Sequence, residues 1–593
     1  MPKEFHRLIS LDEARSMALS ATPQAREEML PLDGALGRVL ARSVDSSVDV
    51  PGFDRAAMDG YAVRWQDTMG AREDRTIELR LAGQVAMGRI AEASVEDGTA
   101  VIVSTGSMMP AGANAVLMVE YAERDESFIR LTRPVAMGEN VHRAGSDIGY
   151  GEAVLLAGTR LTPREIGVLA AIGIEEVPVR ALQVGIASSG DELVPPGEAL
   201  GPGQVYDINT HSLAAAVREC GAAATIYGIL PDRKEEMGER LVKMARECDL
   251  SIVSGSTSAG VGDMLYAVIE SLGEIIFHGI NLKPGKPTIL GALFEKPVFG
   301  LPGYPTSALT VFSQVVEPAI RLRLGLLEEG RRIEGRLARP VRSEGRHQML
   351  AVCLSRGLVY PVDKGSGSIT TLASADGAIE LAPEIEYMDR GDLVVVHALG
   401  EYREPHLVVA GESCPGLDAV LRHLPYPARM ISNGTRLGIM ALKDGVADIA
   451  CIMGDQKAGP FTIPGYSREI GMISKDESLL DPSNLEGVRV AGWARESGMA
   501  ELLGNALGKS GAMLVGRARS HSAVCAAVAS GRVEAGFAAR AAAVERGLAF
   551  RALMRDRISF AVCPTRADSR GVASFKEALE EALLPPGMER DSE

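Results

Sequence analysis

A chain of 593 residues is too long for one hydrophobic core, and its length alone implies about three to five domains. Hydrophobic residues at 46% and charged residues at 24% are the balance of a water-soluble globular protein, with aliphatic cores because aromatics are only 4%. The formal charge of −16 argues against sequence-independent binding to nucleic acid or to an anionic membrane, both of which need basic patches, but leaves room for a small anion in a local pocket.

The opening stretch holds no apolar segment of signal-peptide length, and nowhere do about eighteen apolar residues run together, so neither export nor a membrane span is expected. The seven cysteines are scattered, odd in number and never spaced C-x-x-C, and the nine histidines are equally dispersed. This argues against a disulfide framework, a zinc site or a histidine-based metal centre, and for a reducing cytoplasm.

In chain order, residues 10–40 read as helical, with Ser10 placed to cap "LDEARSMALS" and Asp12 and Glu13 in the first turn. From about 45 to 150 the texture is β-rich, with "RTIELRLAG", "TAVIVSTG", "AVLMVEYA" and "SFIRLTRPV" as short strands between glycine turns; "LTPREIGVLAAIGI" is a helix signal closing the region 1–182. Residues 183–326 alternate strand and helix. "QVGIASSG", "ATIYGIL", "LSIVSGS" and "PVFGLPG" are strands; "THSLAAAVREC", "RKEEMGERLVKMAREC", "MLYAVIESL" and "TSALTVFSQVVEPAIRLRLG" are helices. That alternation implies a parallel sheet with helices on both faces and a ligand site beyond the strands' C-terminal ends. Residues 327–402 form a small β-domain, "EYREP" at 401–405 reads as a linker, and residues 406–585 alternate again before a frayed tail.

"DLSIVSGSTSAGVGDMLYAVIESLG" reads as a strand, a small-residue loop and a helix, which is how many proteins hold phosphate, yet it lacks a P-loop or dinucleotide fingerprint and closes on an acid, Asp263. Acids recur at strand ends and turns: Asp54 and Asp59 in "FDRAAMDGYAV", Asp147 in "AGSDIGYGE", Asp191 and Glu192 in "SSGDEL", and Asp232 in "LPDR". Taken singly, each is an ordinary turn former or cap. Together, acids without histidine or cysteine suit Mg²⁺, and Lys283 and Lys286 in "NLKPGKP" suit a terminal phosphate. The N–H groups of "SGSTSAGVG" lie open to an anion. A phosphorylated ligand carrying Mg²⁺ explains how Asp263 can sit in a phosphate loop.

In this order and spacing, "FDRAAMDGYAV", "STGSMMPAGANAVLMVE", "SSGDEL", "SGSTSAGVGD", "KPGKP" and "LPGYP" resemble the molybdenum-insertion enzymes of molybdenum cofactor biosynthesis, the MoeA family related to the gephyrin E domain, over about residues 5–400. The resemblance implies a multidomain α/β chain, an elongated homodimer whose subunit has a β-rich N-terminal subdomain, a molybdopterin-binding α/β domain (183–326) and a small β-domain (327–402). It implies a transferase that joins molybdate to adenylated molybdopterin with Mg²⁺ and releases AMP. By the same resemblance Glu192, Asp232 and Asp263 line the pterin–phosphate pocket, with Glu192 and Asp263 as metal positions. Ser254, Gly255, Ser258 and Gly260 would cradle the ligand, Lys283 and Lys286 would hold phosphate, and Pro302 and Pro305 would shape the rim. Asp54, Thr105, Arg143 and Asp147 would complete the cleft, across the dimer interface. A molybdopterin adenylyltransferase and apo-molybdoenzymes are the implied partners. The chain departs from the family pattern at Ala56, where Ser is usual, and at Tyr304, where Asn is usual, so tungstate in place of molybdate stays open.

Residues 406–585 resemble the periplasmic-binding-protein-like superfamily, two α/β lobes closing on a ligand, on "SNGTRLGIMALKDGVADIACI" and "SHSAVCAAVASGRVEAGFAARAAAVERGLAF". Ser432, Asn433, Thr435, Ser497 and Ser522 head helices there, and hydroxyls without clustered Lys or Arg suit a small oxyanion; plain helix capping is the alternative. His521 alone reads as a satisfied surface or core residue rather than a ligand contact. The competing function for the whole chain is a non-catalytic molybdopterin or oxyanion sensor or scaffold, which would not need the charged cleft that this chain keeps.

Overall fold

A computed structural model describes residues 8–257, 264–326, 332–343, 345–362, 369–400, 402–454, 461–495, 497–508 and 510–591, without the side chains of 371 and 372. It divides into two compact units, residues 1–281 with 285–329, and residues 282–284 with 330–593.

In the first unit, Ser10 and Glu13 close a capping box on the helix Leu11–Ala21, which buries Leu11, Ala14 and Ala18. The helix is shorter than the expected 10–40. Thr22 is already extended and Pro23 disfavours helix before it, so the chain turns into a strand, Arg26–Pro31, paired antiparallel with Glu176–Ala181. A six-stranded sheet over residues 60–131 forms the β-rich part. The helix Pro163–Ala171 starts at a second capping box, Thr162 with Glu165.

The α/β part is a six-stranded sheet: β1 (Gln183–Ser189), β2 (Ala223–Leu230), β3 (Leu250–Ser254), β4 (Glu274–His278), β5 (Ile289–Leu293) and β6 (Lys296–Leu301), in spatial order β2-β1-β3-β6-β5-β4. Helices α1 (Asn209–Glu219), α2 (Lys234–Glu247), α3 (Met264–Leu272) and α4 (Pro305–Val311) accompany it. Four neighbouring strands are parallel, but β5 runs against them and pairs antiparallel with both β6 and the edge strand β4, which the alternating pattern did not predict. The reason is local. Phe294 and Glu295 both take positive φ, 52° and 63°, in a two-residue hairpin that can only return the chain antiparallel. From β1 the chain steps to β2 on one side and returns to β3 on the other. The ends of β1 and β3 therefore flank a topological switch point, where open α/β sheets bind ligands.

In the second unit, the strands His347–Ser355, Leu358–Pro361, Arg332–Leu337, Leu393–Ala398 and Gly377–Leu381 close on themselves, because the last also pairs with the first. The C-terminal domain has β7 (Val408–Gly411), β8 (Arg429–Ser432), β9 (Ile449–Met453), β10 (Thr462–Ser474), β11 (Arg489–Trp493), β12 (Met513–Ala518), β13 (Ala535–Ala539) and β14 (Ala549–Val562). Their order is β8-β7-β9-β14-β10-β13-β11-β12. One lobe is built on β7–β9, the other on β11–β13, and the long antiparallel pair β10–β14 runs through both. Helices α5 (Pro415–His423) and α6 (Gly434–Lys443) serve the first lobe, α7 (Gly498–Leu507) and α8 (His521–Ala529) the second.

The β-domain is bonded to the first lobe. Arg429 donates twice to Asp376, at 2.7 and 2.6 Å, and Arg339 donates to Asp444 at 2.6 Å. The fully buried carboxylate of Asp448 accepts Val408 N at 2.7 Å and pairs with Arg356 and Arg566, each at 3.0 Å. Replacing Asp448 by Ala leaves an amide and two guanidinium groups without their partner. The substitution should cost this unit about 3 kcal/mol, read as a lower urea midpoint for its transition with that of the first unit unchanged.

Candidate functional site

The switch point is narrow because its backbone is. Gly255, directly after β3, has φ +111°, and a Cβ there would lie 2.3 Å from the carbonyl oxygen of Ser189 at the end of β1. Only glycine allows the two strand ends to come this close. Ser188 donates to Asp207 at 2.7 Å, and Asp207 also accepts Thr210 N at 3.1 Å, fixing the entry to α1. Asn209, the first residue of α1, donates through Nδ2 to Ser254 Oγ and to the Gly303 carbonyl, both at 2.8 Å. Ser254 in turn donates to the Pro302 carbonyl at 3.0 Å. One amide thus clasps the loop after β3 to the rim segment 302–304.

A carbonyl can only accept, so the Asn209 amide orientation is settled and its Oδ1 is the remaining acceptor. That atom and Ser189 Oγ are buried with no hydrogen-bond partner. Beside them Ser256 donates to Asp232 at 2.7 Å, and Asp232 N donates to Asp191 at 3.3 Å. Glu192 is exposed and lies against Gly190, whose φ is +147°. Pro302 is buried and Pro305 opens α4; Tyr304 is 62% exposed and makes no side-chain capping bond, which an Asn could have made.

Ser258, Gly260 and Asp263 lie outside the described residues. The Lys286 carbonyl accepts Ile280 N and Thr288 N in the first unit, whereas Lys283 sits in the second, on a short strand paired with His347–Gln348. Arg143 donates to Asp54 at 2.5 Å and Ala144 N at 2.9 Å. The Ala144 N–H, and secondarily Arg143, hold the Asp54 carboxyl below the usual carboxylate range. Thr105 is exposed, and its N–H donates to Asp59 at 2.7 Å. Asp147 is exposed, its N–H bonded to the Val50 carbonyl. Ala56 is buried against Val141. Among the described residues no three metal-ligating side chains converge.

In the C-terminal domain the donors meet a carboxylate of the chain itself. Glu412, only 4% exposed, accepts Thr435 N (3.1 Å), Thr435 Oγ1 (3.3 Å), Gly498 N (2.9 Å) and Ser497 Oγ (3.1 Å). Ser432 and Ser522 are exposed, Asn433 makes no capping bond, and Ser520 caps α8. A buried cation also lies in this domain, Arg468, paired with Asp556 at 2.9 Å and 2.9 Å from His521. His521 is buried and takes Ala539 N–H; burial, then Arg468, keeps its ring neutral. The Cys414 thiol is pulled down, first by its hydrogen bond with Cys451 and then by Arg468. Sequence reasoning passed over Asp207, Asn209, Glu412 and Arg468. Asp207 and Glu412 stand directly after strands, and Asn209 opens a helix.

Residues 9–173 match the MoeA N-terminal region (domain I and II), 185–322 a probable molybdopterin binding domain, and 334–399 the MoeA C-terminal region (domain IV). Residues 453–580 match a PBP superfamily domain. A molybdopterin molybdenumtransferase of Haemophilus influenzae is 37% identical over 319 residues, 53% of this chain and 77% of that one. The chain belongs to the molybdopterin molybdenumtransferase family. Molybdopterin molybdenumtransferase 2 of Mycobacterium tuberculosis (strain H37Rv) is 32% identical over 391 residues, 63% of this chain and 96% of that one. A crystal structure of the molybdopterin biosynthesis MoeA protein of Pyrococcus horikoshii covers 67% of this chain and 100% of its own, at 38% identity and a TM-score of 0.59. The chain is thus a transferase of molybdenum cofactor biosynthesis with a periplasmic-binding-protein-like domain attached. Its helices include none long and apolar enough to cross a membrane, among the described residues.

Asn209→Ala should cut molybdenumtransferase turnover while costing only about 1–2 kcal/mol of stability, because it unclasps the rim without opening the core. Turnover of a folded variant equal to that of the unaltered chain would show that the clasp is not needed.

Proposed function

We propose that this chain joins molybdate to adenylated molybdopterin at the switch point between β1 and β3, with release of AMP. The observation that carries the proposal is the pair of buried, unpartnered acceptors, Asn209 Oδ1 and Ser189 Oγ, beside the loop at 254–257. Buried polar atoms without partners cost stability unless a ligand or water meets them, and both stand where an open α/β sheet receives its ligand.

Magnesium fits the donor set as an ion carried on the substrate phosphates. The acids are oxygen donors only and form no three-ligand cage among the described residues, so one or two carboxylates would steady an ion that keeps waters and phosphate oxygens. Glu192 and Asp263 would hold it, with Asp232 lining the same pocket. Bound there, Mg²⁺ supplies neutralisation of charge on the leaving phosphate. The chain's own residues do the rest. Ser256 orients Asp232 through their hydrogen bond, and Lys286 supplies positive charge to the terminal phosphate. An oxygen from water or molybdate adds to phosphorus as the pyrophosphate bond breaks and AMP leaves. The two dithiolene sulfurs displace two molybdate oxygens, which depart as water or in that transfer, so no protein thiolate is needed.

The proposal includes a cytoplasmic homodimer, with Asp54, Thr105, Arg143 and Asp147 closing the cleft of the partner subunit. It also includes transient contacts with a molybdopterin adenylyltransferase and apo-molybdoenzymes, and tungstate as a possible second substrate. For the C-terminal domain it includes a small oxyanion as ligand at the donors of Thr435 and Ser497.

The test is AMP release by the purified chain from adenylated molybdopterin with Mg²⁺, with molybdate and tungstate in separate runs. Oxyanion-dependent release is expected, with Asp263→Asn and Asp232→Asn each losing about a hundredfold or more. Pterin binding without AMP release under either anion would leave a sensor or scaffold.

A further inference from the structure

The C-terminal domain has two switch points, one per lobe. In the first, β7 is flanked by β8 and β9, and Glu412 follows its last residue, Gly411. In the second, β11 is flanked by β12 and β13, and α7 begins just after it with Ser497 as N-cap. A ligand of a two-lobed α/β domain belongs between such strand ends, held by helix N-termini from both sides.

That position is occupied from within. Glu412 belongs to the first lobe, and its Oε1 accepts the N–H of Thr435 in the first turn of α6. The same oxygen accepts Gly498 N at the start of α7 in the second lobe, and Oε2 accepts Ser497 Oγ. The Thr435 hydroxyl donates to Glu412 while accepting Met453 N, so its one proton is committed. Two ten-residue helices thus direct their N-termini at one buried charge, an arrangement that stabilises an anion through both dipoles and through charge-assisted hydrogen bonds.

The surroundings are closed around this carboxylate. A Cβ on Gly498 would fall 2.1 Å from Met453 Cε, and a Cβ on Gly438 in α6 would fall 2.6 Å from Gly411 Cα. Gly498 lets the start of α7, and Gly438 the middle of α6, lie close against these groups. Arg468, the buried cation nearby, is paired with Asp556 and leaves Glu412 to neutral donors.

We infer that Glu412 is a tethered internal ligand: it fills the anion position of the two-lobed domain, latches the lobes shut, and competes with any free anion for the same donors. The inference deepens the oxyanion reading of this domain and rests on it only for the identity of the competing anion. An occupant that never leaves the chain lowers the apparent affinity for a free anion by the fraction of molecules in which it has swung out. It therefore sets a threshold, so the domain responds only when the anion is abundant or binds better than a single carboxylate.

The test uses the full chain with Glu412→Ala, sodium formate as a carboxylate probe and sodium molybdate as an oxyanion probe. Melting of the second unit is followed by scanning calorimetry, and molybdate uptake by titration calorimetry. The unaltered chain should gain nothing from formate. Glu412→Ala should melt lower, be raised again by either anion, and bind molybdate at one site more than the unaltered chain or about tenfold more tightly. Rescue by formate but not molybdate would keep the latch and remove the oxyanion reading. Equal molybdate uptake by both chains at the same affinity would keep the oxyanion reading and overturn the latch. A Glu412→Ala chain that melts unchanged, or lower with no rescue by either anion, would also overturn it. Should that variant not fold, Glu412→Gln, which keeps the shape and loses the charge, must still melt lower; an unchanged melting temperature would overturn the latch.

Discussion

Everything in the α/β half depends on how closely two strand ends can approach. The Ser189 carbonyl and Gly255 pass at a distance that no side chain permits, and this brings the loops after β1 and β3 into one crevice. Around that contact the polar groups are arranged by strength of claim. Asp207 takes Ser188 and the α1 backbone, Asn209 takes Ser254 and Gly303, and Asp232 takes Ser256. What is left over, one amide oxygen and one hydroxyl, is left over in the place where a ligand would enter. Pre-organisation of this kind costs the free protein stability and returns it on binding.

The C-terminal domain uses the same strand-end physics with the opposite result. There the helix N-termini find their anion inside the chain, so the donors of Thr435, Ser497 and Gly498 are satisfied before any ligand arrives. A crevice with unmet acceptors and a cleft with met donors imply different tasks. On the proposals made above, the first receives substrate and the second resists occupation. The bonded junction through Asp376–Arg429, Asp444–Arg339 and Asp448–Arg356 joins the first lobe firmly to the β-domain. Separation of the lobes, when it occurs, would therefore fall on the second lobe.

Legibility followed the range of the interactions. The capping boxes at Ser10–Glu13 and Thr162–Glu165 act over three residues and could be read directly from the chain. The alternation from 183 to 326 revealed a sheet with helices because burial periodicity is local. It did not reveal the antiparallel edge, because Phe294–Glu295 lacks the Asn or Gly that usually announces a turn of positive φ. Six short motifs carried the family, since glycines and acids at strand ends serve geometry that few sequences share. The clasp was hidden for a different reason. Asn209 meets Ser254 and Gly303 across 45 and 94 residues, and no periodicity links them. In the last domain the hydroxyls at helix starts were visible, but the occupant was not. Glu412 reaches Gly498 over 86 residues, and an isolated acid in "AGESCPG" reads as a turn. Buried Arg468 was equally silent, since a strand that crosses both lobes does not alternate regularly.

The central claim, that the crevice at Gly255 receives the pterin, is tested most directly by equilibrium binding of molybdopterin to the full chain and to Gly255→Ala. Gly167→Ala, which meets no atom within 4 Å, serves as the control. The account predicts that Gly255→Ala, folded by circular dichroism, loses about tenfold or more in affinity while Gly167→Ala binds as the unaltered chain does. Equal affinity in all three would contradict it and place the pterin elsewhere.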